Sequence, residues 1–111
     1  TSWSQQAKLT ASDAAAYNEF GNATAIEGDT IVIGSHQSDN GGFYVDYTGS
    51  AYIYTRSGTS WTQVKKIQSS DIQAGDNFGK SVAIYSNTAV AGAWGEDTGA
   101  NLAGAAYAFT A

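Results

Sequence analysis

The 111-residue sequence contains no cysteine, no proline, no methionine and a single histidine. Without cysteine there is no disulfide and no thiolate metal site, so sulfur says nothing about the redox compartment. Basic residues are also scarce. Five lysines and arginines stand against ten acidic residues, a net charge of −5. That balance argues against nucleic acid and anionic lipid as partners. No apolar run approaches transmembrane length, so no membrane insertion is expected, and no basic-then-apolar leader opens the sequence. The first residue is Thr1 rather than methionine, as in a processed chain or a segment of a larger parent. Catalytic signals are thin as well. His36 is the lone histidine, there is no Gly-x-Ser-x-Gly elbow, and no phosphate-cradling glycine motif appears. The adjacent acids Glu96 and Asp97 read as solvated loop residues rather than an acid–base pair. The expectation is a protein that is not an enzyme.

What is present points to strands and turns. Thirteen glycines accompany many Thr, Ser, Tyr, Val and Ile residues, in a chain of one-domain length. The organising stretch is Phe20 to Gly34, two short apolar runs joined by the polar turn Glu27-Gly28-Asp29. It recurs as Phe78 to Gly92 around Tyr85-Ser86-Asn87. Turn residues of this kind tolerate the positive φ that a two-residue hairpin loop needs. With Trp3 aligned on Trp61, one offset holds through Ser35 and Ala93. It pairs Lys8 with Lys66, Asp13 with Asp71, Phe20 with Phe78, Gly21 with Gly79 and Gly34 with Gly92. After a loop of different length, Gly49 to Thr55 matches Gly104 to Thr110. The chain thus divides into repeat one, residues 3–60, and repeat two, residues 61–111. A repeat of this period is a supersecondary unit that stacks on its neighbours to bury its faces.

Each unit reads as four strands: Trp3–Leu9 with its copy Trp61–Ile67, Asn22–Ile26 with Lys80–Ile84, the apolar run Thr30–Ile33, and Ala51–Thr55. The last sets Tyr52 and Tyr54 on one face, Ala51 and Ile53 on the other. Short connections imply antiparallel meanders. Two four-stranded antiparallel meanders covered on both faces describe β-propeller blades, an all-β fold. Small Ala and Gly residues gather in the Phe-Gly strand, nearest the axis, and Trp in the outermost strand.

Phe20-Gly21 with Ile33-Gly34-Ser35, and Phe78-Gly79 with Ala91-Gly92-Ala93, resemble the FG-GAP repeat of integrin α-subunit propellers and bacterial surface proteins. The pattern Trp-x-x-x-x-Lys-Leu/Ile-x-x-x-Asp, then Phe-Gly, then Gly-x-Ala-Tyr-x-Tyr/Phe, is similar to the bacterial form. The resemblance implies an extracellular or cell-surface protein with an adhesive, lectin-like or structural role. Integrin-type blades also hold calcium in a long Asp-rich loop between the first two strands. Glu27-Gly28-Asp29 leaves no room for one. Other acids that could contribute to a calcium site are Asp39, Asp46, Asp71, Asp76, Glu96 and Asp97, none with full ligand spacing. Asp13 and Asp71, just before the Phe-Gly strands, are expected to accept loop backbone N–H bonds.

Strand direction puts the connections 12–19, 36–48, 70–77 and 94–103 on one rim, with the tight turns opposite. Long loops on a rigid scaffold are where binding concentrates. Tyr17, Asn40, Tyr44, Tyr47, Trp94 and Asn101 fall there, aromatic platforms beside amide groups, as a glycan or protein ligand requires. The expected function is a multivalent binding module. The alternative is a self-assembling structural scaffold, natural or engineered, without a ligand. Strand bookkeeping adds a third expectation. The Trp61 strand completes the first blade, the second blade lacks an outer strand, and the Trp3–Leu9 strand is spare. Donation of residues 3–9 to a neighbouring chain would build a homo-oligomeric ring, a trimer or tetramer. The sequon Asn22-Ala23-Thr24 falls in the inner strand, where a glycan does not fit.

Overall fold

The computed structural model describes residues 2–13, 19–35, 49–68, 70, 76–93 and 104–111. These form seven strands: β1 Ala23–Glu27, β2 Thr30–Ser35, β3 Ser50–Ser57, β4 Ser60–Ile67, β5 Phe78–Tyr85, β6 Thr88–Ala93 and β7 Ala105–Thr110. They pair antiparallel in two sheets, β1-β2-β3-β4 and β5-β6-β7. Two-residue turns join β1 to β2, β3 to β4 and β5 to β6, and each opens on a left-handed residue: Gly28, Gly58 and Ser86. The sequence therefore has all-β meanders at both repeats, as expected.

Register sorts the side chains. Ile31 lies opposite Tyr54 and Ile33 opposite Tyr52, while Val32 faces Ile53 and Gly34 faces Ala51. Because alternate residues point to opposite sides, the first sheet has a tyrosine face and a valine face. In the second sheet, Ala89 pairs Phe109 and Ala91 pairs Tyr107, whereas Val90 pairs Ala108 and Gly92 pairs Ala106. The two sheets stack with the valine face of the first against the tyrosine face of the second. Val32, Ala51 and Ile67 meet Phe78, Ala89, Ala91 and Ala93 in one buried cluster. Phe78 is 0% exposed, with Tyr107 and Phe109 at ring-centroid distances of 5.7 and 5.9 Å.

Near the inner strands the backbones almost touch. A Cβ at Gly34 would collide with the Gly79 carbonyl, and a Cβ at Gly79 with the Ser50 carbonyl. Gly79 also sits at φ +91, a conformation L side chains rarely adopt. The Phe-Gly pair is thus the point where the second repeat's backbone wedges onto the first. The Asn22 amide Nδ2 donates across the same junction to the Gly79 carbonyl at 3.3 Å and the Lys80 carbonyl at 3.1 Å. That use of Asn22 explains why a glycan has no place there.

The second sheet has three strands among the described residues, so it lacks an outer strand from this chain, as the strand count predicts. One expectation needs correction. Residues 3–9 form no strand in this chain: Ser2 to Lys8 are exposed, and Trp3 is 95% exposed. A strand needs a free sheet edge beside it. Its copy β4 already occupies the outer edge of β3, and the edge of β7 lies beyond the first sheet. The segment is tied to the first sheet at Gln6, whose Oε1 accepts from Trp61 Nε1 at 2.8 Å, and at its end. Leu9 and Ala11 cover the tyrosine face, and the Tyr54 hydroxyl donates to the Thr10 carbonyl at 2.8 Å.

Candidate functional site

The two rims differ as strand direction requires. β2 and β6 end, and β3, β5 and β7 begin, at the same rim, since Gly49 bridges Phe78 and Gly79 packs on Gly34. All the long connections leave from there. At the other rim the tight turns gather, and the Ser86 backbone N–H donates to the Glu27 carboxylate. Asp29 there forms an ion pair with Arg56, Nη2 to Oδ1 2.6 Å, and the Arg56 guanidinium lies over the Trp61 ring. Gly28 and Asp29 alone link β1 to β2, a turn too short to be an Asp-rich calcium loop.

Beneath the long-loop rim lies a polar layer. Ser35, Ser50, Asp76 and Asn77 are buried, and Gln68 Nε2 donates to the Gly49 carbonyl at 3.2 Å and to Ser50 Oγ at 3.1 Å. These bonds tie the base of the loops to the strand ends. Asp76, 2% exposed, belongs to this buried layer and not to an open rim. The other acids named for calcium, Asp39, Asp46, Asp71, Glu96 and Asp97, lie outside the described residues, as does His36. So do all six residues named for ligand contact: Tyr17, Asn40, Tyr44, Tyr47, Trp94 and Asn101. Among the described residues no group of three or more His, Asp or Glu side chains could hold a metal ion.

One constellation escaped the residue-by-residue reading. Asp13 has a structural role, but side chains chiefly hold it. The Tyr52 hydroxyl donates to Asp13 Oδ1 at 2.8 Å and Lys66 Nζ to Oδ2 at 2.6 Å, with the residue's own amide contributing. Gln63 works alongside, taking the Ser12 backbone N–H at 3.2 Å and donating from Nε2 to Ser12 Oγ at 3.1 Å. Together they fasten β4 to the segment before the Phe-Gly strand. The signal was there: Gln5/Gln63, Lys8/Lys66, Ser12/Ser70, Asp13/Asp71 and Tyr52/Tyr107 are all kept between repeats.

Partial burial alone would raise the Asp13 carboxyl, but the Lys66 and Tyr52 hydrogen bonds and the Lys66 charge outweigh it. Asp13 is therefore held below its ordinary 3.8. Burial, reinforced by the Asp13 carboxylate, pushes the Tyr52 hydroxyl well above the usual tyrosine range. A depressed carboxyl stabilises the fold above its unfolded pKa, and that contribution disappears as pH falls through the folded value. Urea unfolding across pH 2 to 7 is expected to show an acid loss that Asp13→Asn flattens, with unchanged slope in urea. An acid limb identical in both proteins would contradict the assignment. The effect is modest, because the pair is partly exposed and solvent-screened.

Stacked antiparallel meanders with a polar-based loop rim are the architecture of propeller-type blades. The sequence matches the FG-GAP repeat family twice, over residues 3–54 and 61–109. The chain belongs to the FG-GAP repeat family. No curated protein matches it.

Proposed function

We propose that the chain is a non-enzymatic binding module that presents its long-loop rim to a glycan or protein ligand in an extracellular or cell-surface setting. One observation carries the reading. Every long connection leaves from a single rim of a rigid two-sheet scaffold, whereas the opposite rim holds two-residue turns. Those connections contain Tyr17, Tyr44, Tyr47, Trp94, Asn40 and Asn101. Aromatic faces and amides of this kind suit sugar rings and peptide groups alike. FG-GAP membership supports a propeller-like module, and the low positive charge agrees with a ligand that is not nucleic acid.

The test is a glycan array and a protein pull-down with the purified chain, followed by Tyr44→Ala, Tyr47→Ala and Trp94→Ala. Truncating an aromatic hot spot is expected to weaken binding by about tenfold while thermal stability stays within error. Binding that survives all three changes would remove the rim from the account. A second reading, a structural unit with no ligand of its own, draws on the large apolar side chains exposed away from the rim. It prevails if neither screen finds a ligand.

A further inference from the structure

We draw no further inference here: the strongest candidate, the largely apolar cleft of about 410 Å³ between the two sheets, lined by Ile53, Val64, Lys65, Ile84 and Phe109, runs out to Thr110 at the end of β7, and nothing in the structure shows what covers it.

Discussion

Phe78→Ala is expected to destabilise the chain by about 3–5 kcal/mol, the cost of truncating a fully buried aromatic ring. Phe78 sits where the two sheets meet, with Tyr107 and Phe109 at its edges and Ala89, Ala91 and Ala93 in the same buried cluster. Alanine there opens a cavity that backbone contacts on either side prevent from collapsing, since Gly49 bridges Phe78 itself. A domain of this size has a total stability of only about 5–15 kcal/mol, so the variant is expected to be largely unfolded in mild urea. The equivalent Phe20→Ala serves as the internal comparison. Phe20 stacks edge-on against Tyr52 at 5.3 Å but remains partly exposed, so its loss is expected to be clearly smaller. Equal losses in urea titrations of the two variants would mean that the sheets do not stack through the second Phe-Gly pair.

Gly79→Ala is the second large effect. The added Cβ would meet the Ser50 carbonyl oxygen, with Ser35 N at 3.3 Å, in a junction where both neighbours are backbone. Backbone cannot swing aside as a side chain can. Overpacking of this kind costs about 1–3 kcal/mol or more, and a non-glycine residue at positive φ adds about 1–2 kcal/mol. A drop of roughly 15 °C or more in the melting temperature is expected for a domain this small. Gly58→Ala provides the control, because Gly58 has φ +63 but open space around its missing Cβ. It should lose only the conformational part. If Gly79→Ala melts like Gly58→Ala, the close approach of the two repeats is wrong. These two residues answer why the motif is Phe followed by Gly: one fills the junction, and the other lets the backbones reach it.

Much of this fold was legible because repetition makes the sequence its own comparison. Phe20 to Gly34 and Phe78 to Gly92 identify two hairpins without ambiguity, and alternation in Ala51–Thr55 places Tyr52 and Tyr54 on one face. The turn residues were readable since Gly28 and Ser86 both adopt positive φ, whatever their side chains. Tyrosine partners were less accessible. Asp13 looked like a loop cap, yet its carboxylate meets Lys66 and Tyr52, residues 53 and 39 positions away. Local preference describes what a residue can do with its neighbours in sequence, and not which distant hydroxyl arrives beside it. The aromatic and acidic residues of the rim were read from loop composition alone, and composition does not set their mutual geometry.

By itself the sequence determined the strands apart from residues 3–9, their order, the two-residue turns, the two-fold repeat and the family. Each follows from periodicity, turn chemistry or identity at a fixed offset, all properties of a linear chain. The tertiary structure alone decided which face of each sheet is covered. Both repeats carry the same pair of faces, so pattern cannot say that Val32 is buried while Val90 is exposed. It alone decided, too, that residues 61–67 become the outer strand β4 while residues 3–9, with the same Trp, Gln and Lys, form none. The physical reason is that burial and pairing depend on having a neighbour. Within one chain the first sheet has a second sheet on its valine face and β4 on its edge, and the second sheet has only its tyrosine face matched.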